Sequence, residues 1–406
     1  MNRFATASTL RPDATPMRSS RRVVPGPRSL AGAIDAGRVW WRALDAVGRT
    51  DEPRAWKLRL RFVAASFGQA SVLARVLGPR AVPSLRTFVR EHPVLLGALL
   101  WPHVHKAWTP AERFGAMATH LERLHDGRSG LAIGPHETLD LVALDPLVDA
   151  GESRGALRFV VDRAPWFLRE GGLVLNLFEG DVRLYSLAFS FAEHDGRPAA
   201  LIGALQGSKV DGALERYRDL TKALHGQRPR DLMVDTFRML CRALRVPTIL
   251  AVDDASRHQR HAFFGGDGDH AVLAGNYDEL WAEHGGEAIG DGLYRFASDP
   301  PRRTLDDVPS RKRAQYRRRY EFLDALEASL AARLAALPPR LSPTVPDAAV
   351  APRQVPGSND RAAAAARWAR RLAARTGAVA GLVAADLSYA CATTPLLPSS
   401  SLLSML

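Results

Sequence analysis

Cysteine is scarce: Cys241 and Cys391 are too few for a disulfide framework or a cysteine-built zinc site. Lysine is scarce too. It stands at positions 57, 106, 209, 222 and 312, and arginine supplies the rest of the 55 basic residues. Long apolar runs are missing. The longest, at 94–101 and 378–385, fall far short of the ~20 residues that a membrane-spanning helix needs. The N-terminus is basic and rich in Ser, Thr and Pro, without the apolar stretch of a secretory signal. No Walker loop, Gly-x-Ser-x-Gly elbow, kinase signature or His-Glu-x-x-His is present. Standard nucleotide hydrolysis, α/β-hydrolase chemistry and zinc proteolysis drop out with them. Together these absences predict a cytoplasmic protein with no transmembrane segment.

What is present is ordinary for a folded chain. Apolar residues make up 46% and charged residues 24% of the 406, which excludes disorder throughout and a collagen-like or coiled-coil rod. The net charge of +12 points towards nucleic acid until its distribution is counted. Residues 1–30 carry +5 and residues 340–406 carry +4, leaving only +3 between them. Phosphate neutralisation needs a basic surface on the folded part. No zinc finger, RNA-recognition signature or basic zipper appears either, so no specific nucleic-acid partner is expected. The abundance of Arg, Ala, Gly and Pro fits a GC-rich genome.

Four zones follow from composition. Residues 1–30 read as a disordered basic lead, and residues 31–150 as a helical N-terminal part. Residues 151–337 read as a mixed α/β part closed by a long helix over 310–337. Residues 338–406 read as a Pro-rich linker and an Ala/Arg-rich tail, mostly disordered. In the helical zone Thr109-Pro110-Ala111-Glu112 is a capping box with proline at the first helical position. Phe114, Met117, Leu121 and Leu124 then recur at helical spacing. In the next zone, strands are expected over 173–178, 184–191 and 198–206, with an Asp195-Gly196 turn. Two helices follow. Leu214, Tyr217, Thr221 and Leu224 line the first. Asp231 caps the second, which places Cys241 on its apolar face as a small buried residue rather than a nucleophile. A short apolar strand at 246–252 completes a mixed sheet. The expected fold class is α/β (α+β): a helical N-terminal part, then a mixed, partly antiparallel sheet with flanking helices.

Six segments carry a resemblance: LYSLAFSF (184–191), IGALQG (202–207), LTKALHGQRPRDL (220–232), ILAVDD (249–254), NYDELW (276–281) and KRAQYRRRY (312–320). In order and spacing they resemble the bacterial VirK/YbjX family over residues 55–335. The resemblance implies a cytoplasmic or envelope-associated protein linked with virulence and antimicrobial-peptide tolerance, with an envelope or protein partner. It implies no reaction, because the family has no agreed catalytic residues.

The residues themselves suggest where chemistry would sit. His225-Gly226-Gln227-Arg228-Pro229-Arg230 precedes a helix start. Helix N–H groups and arginine forks together suit an anion, and a plain interhelix turn explains the same residues. A meander of strands, a turn, a helix and another strand are also the layout of acyl-CoA-dependent N-acyltransferases. The usual glycine-rich loop directly after the strand is absent here. On that analogy acyl-CoA is the possible co-substrate, and a base is sought among Asp253, Asp254 and His258. His103/His105 and His258/His261 are pairs only, so no metal site is expected. Asp278 and Glu279 are adjacent, and a helix start accounts for them. The Arg-rich start of the closing helix suits either docking to an anion or acidic partner, or a solvated face neutralised by Asp306 and Asp307.

Overall fold

The computed structural model describes residues 30–48, 55–125, 131, 133, 138–145, 155–208, 212–264 and 275–337. Residues 1–29 of the expected lead, the Pro-rich linker, the Ala/Arg-rich tail and Cys391 lie outside them. The chain forms two compact units. Among the described residues the first holds 30–101 and 109–122, and the second holds 102–108 and 123–337.

The first unit is helical: α1 (Leu30–Val47), α2 (Ala55–Gly68), α3 (Ala70–Leu77), α4 (Pro83–Glu91), a 3-10 segment (Pro93–Leu99) and most of α5 (Pro110–His125). Trp40 stacks on Phe62 with ring centroids 5.9 Å apart, and its indole N–H donates to Ser66 Oγ at 2.8 Å, tying α1 to α2. The capping box opens α5 as its spacing predicts. The Thr109 N–H donates to Glu112 Oε2 at 2.7 Å, and the Glu112 N–H donates to Thr109 Oγ1 at 3.4 Å. Phe114, Met117, Leu121 and Leu124 are all buried. Arg113 is buried as well, and donates to the Ala98 and Trp101 carbonyls at 3.0 Å each. Burial lowers its pKa to about 10.

The second unit is a mixed eight-stranded sheet in the order β1-β2-β3-β4-β5-β6-β8-β7. The strands are β1 (Leu139–Ala143), β2 (Leu157–Asp162), β3 (Leu173–Glu179), β4 (Val182–His194), β5 (Arg197–Gly207), β6 (Thr248–Val252), β7 (Glu287–Gly290) and β8 (Leu293–Ala297). Between β5 and β6 run α6 (Ala213–Ala223) and α7 (Pro229–Ala243). Between β6 and β7 lies α8 (Tyr277–Glu283), and α9 (Ser310–Ala335) closes the fold. All neighbouring strands are antiparallel except β5 and β6. The β4–β5 hairpin turns on Asp195 and Gly196, at φ 52° and 69°, as a two-residue turn with both central residues left-handed requires.

Alternation along β3 and β4 sets the core. Leu173, Leu175, Leu177, Leu187, Phe189 and Phe191 join one large apolar cluster with α7 and α9, while Val174, Ala188 and Ala204 face the opposite side with Ala164 and Phe167. α7 is buried nearly all round and carries Cys241 inside. Desolvation pushes that thiol far above its ordinary pKa, so Cys241 is inert.

Three local readings are corrected. β1 and β2 precede the strand expected to come first. Asp231 lies in the first turn of α7, whose N-cap is Arg228. On α6 Leu214 is 60% exposed and Leu220 is buried in its stead, while Tyr217 packs against the core and Leu224 is buried as expected.

Candidate functional site

The 225–231 turn is held by charge pairing. Gly226 adopts φ 80°, and a Cβ there would run into Gln315 and Arg319 of α9. Arg319 donates to the His225 carbonyl at 2.9 and 3.3 Å. Arg228 and Arg230 both reach Glu283 at the end of α8, at 3.3 and 2.6 Å, and Arg228 also bonds Asp231 at 2.8 Å. Desolvation of Asp231 is outweighed by its bonds to His284 and Arg228, which bring its carboxyl down to about 2. Two cations thus face two carboxylates. The residues proposed for an anion sit together, but Arg228 and Arg230 already have carboxylate partners.

The end of β6 places the candidate bases differently. Asp253 Oδ1 accepts from the Ser256 N–H at 2.6 Å and shapes the turn. Asp254 pairs with Arg257 at 3.2 Å and with Arg260. Those bonds overcome its desolvation and hold its carboxyl below the ordinary range, where it is a poor base at neutral pH. His258 is buried, with Nε2 3.7 Å from Glu170 Oε1. Of these three it is the one that pairs with Glu170.

Near this point the parallel pair parts. Pairing of β5 with β6 runs from Ala199↔Thr248 to Ile202↔Ala251 and stops, while β5 continues to Gly207. A bulge marks the parting: Ala188 pairs with Ala204 and Phe189 with Ile202, leaving Gly203 over. A Cβ on Gly203 would strike the Glu170 carbonyl, so glycine is what lets the 170 loop approach. α8 satisfies the freed edges. The Tyr277 hydroxyl accepts from Leu205 N–H at 2.8 Å and donates to Leu205 C=O at 3.1 Å. The Trp281 indole donates to the Val252 carbonyl at 2.8 Å. Asn276 caps α8 by accepting from the Asp278 and Glu279 N–H groups at 3.0 and 3.4 Å.

Glu170 is the chemically distinctive residue, and sequence reasoning missed it. It is 7% exposed, and Oε1 accepts from Gln206 at 3.3 Å and Gln259 at 3.4 Å. Among the described residues buried Oε2 has no hydrogen-bond partner. Desolvation raises the carboxyl to about 7, against the opposing pull of Arg169, Gln206 and Arg257. A carboxyl so tuned exchanges a proton at neutral pH. Its one local sign in the sequence is the Gly171-Gly172 that follows.

Backbone strain borders the same place. Val104, a buried β-branched residue, has φ 60°. Its turn is closed by the His105 N–H donating to His103 C=O at 2.7 Å, and its own N–H donates to Arg169 C=O at 2.7 Å. Such three-residue turns are rare and strained, and strain of this kind collects at functional sites. His105 Nδ1 accepts from the Ala107 N–H at 3.1 Å. Burial lowers its pKa against the pull of Asp253 and Asp291, which favours the neutral ring. Among the described residues no group of three or more His, Cys, Asp or Glu side chains is placed to hold a metal ion.

The segments that carried the family resemblance therefore converge. Gln206 bonds Glu170, Tyr277 bonds Leu205, Trp281 bonds Val252, and Arg319 of α9 bonds His225 of the 225–231 turn. A family model described as a protein of unknown function, DUF535, matches residues 51–332. The chain belongs to this family. DUF535 relatives include YbjX of Escherichia coli strain K12, 31% identical over 150 residues, which cover 37% of this chain and 45% of YbjX. An uncharacterized protein of Haemophilus influenzae is 28% identical over 282 residues, covering 69% of this chain and 88% of its own length. A second from the same organism is 31% identical over 158 residues, 39% of this chain and 51% of that protein. No solved structure matches this DUF535 chain.

Proposed function

We propose that the second unit is a group-transfer enzyme of the N-acyltransferase type, taking an acyl group from an acyl-CoA thioester to an amine, with Glu170 as the base. The observation that carries this reading is the buried, half-satisfied Glu170 carboxyl held where β5 and β6 part. Ligands of α/β sheets bind beyond the carboxyl ends of strands at such points. In the step, the amine nitrogen bonds to the thioester carbonyl carbon and the carbon–sulfur bond breaks. The amine proton passes to the Glu170 carboxylate, and CoA leaves as a thiolate that takes up a proton. Arg228 and Arg230 would hold the CoA phosphates only by exchanging Glu283 for them. Asp253 and His258 become positioning residues: the first shapes the 253–256 turn, and the second flanks Glu170.

One observation favours a second reading. Tyr277 already occupies the β5 edge at Leu205 that an extended thioester arm would pair with. A chain closed in this way suits a non-enzymatic factor acting through a protein partner, in line with the envelope, virulence and antimicrobial-peptide roles that the family resemblance implies for a cytoplasmic member.

The test is thiol release from acetyl-CoA and longer acyl-CoAs with amine acceptors, using the full chain and Glu170→Gln. Turnover is expected in the wild type and a loss of ~10²-fold or more in the variant. No turnover, together with no rise of the unfolding midpoint at CoA concentrations that should saturate a site, would favour the non-enzymatic factor.

A further inference from the structure

The first unit exposes apolar side chains where a soluble helix should not. In α2, Trp56 is 56% exposed, Leu60 59% and Phe67 80%. At 100° per residue these three fall within an arc of about 40°, so they form one stripe along the helix. The opposite face is spent on the interior: Phe62 and Ser66 are buried. Cations border the stripe on both sides, with Lys57 and Arg61 along one edge and Arg59, which pairs with Asp45 of α1 at 3.6 Å, along the other. From residue 53 to residue 90 the chain carries eight basic residues and no acidic one, between Asp51-Glu52 and Glu91, and of the eight Arg59 and Arg90 pair with acids of α1, Asp45 and Asp35.

We propose that α2 docks the first unit in the plane of an anionic lipid surface, with Trp56, Leu60 and Phe67 in the interfacial layer and Lys57 and Arg61 at the headgroups. An apolar stripe flanked by cations, with Trp at one end, is the pattern of a helix that lies on a bilayer rather than crossing it. No single described helix is long and apolar enough to cross. The pair α2 and α3 reaches that hydropathy only together, and bends by 86° between the two. The charge chooses the occupant: a stretch without a single acid complements anionic headgroups, whereas two copies of the same face would set like charges against each other.

The experiment uses the full chain, co-sedimented with phosphatidylcholine vesicles with and without phosphatidylglycerol. Binding is expected to the anionic vesicles and to fall at least ~tenfold when salt is raised well above physiological strength. The double variant Trp56→Ser/Phe67→Ser should lose at least ~tenfold in vesicle affinity while keeping the unfolding midpoint of the wild type. Lys57→Glu/Arg61→Glu provides a second route to the same loss without touching an apolar residue. Three outcomes overturn the proposal: no sedimentation with either vesicle, a Trp56/Phe67 variant that binds as the wild type does, or a wild-type dimer that this variant turns into a monomer. The last would give the stripe to a second copy of the chain.

Discussion

Two charged clusters lie at the two ends of α8, and they are built on opposite plans. At its C-terminal end, Arg228 and Arg230 meet Glu283 and Asp231, cation against carboxylate, at the protein surface. Near its N-terminal end, Glu170 is buried with one oxygen bonded to two amides and the other, among the described residues, to nothing. The first arrangement is balanced and cheap to make. The second costs free energy as pH rises towards and above neutrality, because an ionised carboxylate out of water is expensive. Balanced charge explains packing. Unbalanced buried charge needs another explanation, and chemistry supplies one.

The contrast is broken most sharply by Glu170→Gln. In the folded protein the carboxyl titrates at about 7, against 4.5 ordinarily. The folded state therefore holds its proton over a range where the unfolded chain has released it. For an acid raised in this way, the contribution to stability is complete below about pH 4.5 and is lost as pH rises through about 7. Relative to wild type, Glu170→Gln should be equally stable at low pH and more stable above pH 8, by at most about 3 kcal/mol. Urea denaturation across that pH range checks it. A constant difference with pH would mean that Glu170 is not the titrating group.

Tyr277→Phe tests the wedge between the two clusters with a smaller expected effect. Removing one oxygen leaves the Leu205 N–H and C=O unpaired in a buried site. The cost should be about 2 kcal/mol, since each orphaned group costs roughly 1–3 kcal/mol and water entering the gap recovers part of it. If the acyltransferase reading holds, the same variant opens the β5 edge and should bind CoA more tightly than the wild type. A neutral substitution would show that the hydroxyl does not hold that edge.

What the sequence makes legible is local. The β4–β5 hairpin was readable because alternation and Asp195-Gly196 lie within a few residues of each other, and the α5 start because Thr109 and Glu112 are three apart. β1 and β2 were not. β2 is buried at four of its six residues, three of them consecutive, and so shows no clean alternation, while β1 has only five residues. The site was half legible. His258 and the 249–254 strand end stood out, but Glu170 acquires its character from burial among residues distant in the chain, with Gln206 and Gln259 lying 36 and 89 residues away. Neither the spacing of those residues nor the bulge at Gly203 leaves a local signature. Conversely, Arg228 and Arg230 looked poised for an anion because their partner Glu283 is more than fifty residues distant. Long-range pairing created one site and filled the other.

The smallest effect is expected at the balanced cluster. Glu283 and Arg228 are about half exposed and Arg230 about a third, so solvent screens their attraction. A double-mutant cycle between Arg230→Ala and Glu283→Ala should give a coupling of about 0.2–1 kcal/mol that shrinks in high salt. The same Glu283→Ala variant sharpens the comparison in a second way. It leaves Arg228 and Arg230 facing only Asp231 beside the first turn of α7, whose N–H groups already favour negative charge. Affinity for inorganic phosphate or CoA, followed by calorimetry, should therefore rise in the variant. A coupling well above 1 kcal/mol, insensitive to salt, would show that this junction is a structural keystone rather than a screened surface pair. An unchanged phosphate affinity would show that Glu283 is not what keeps anions from the turn.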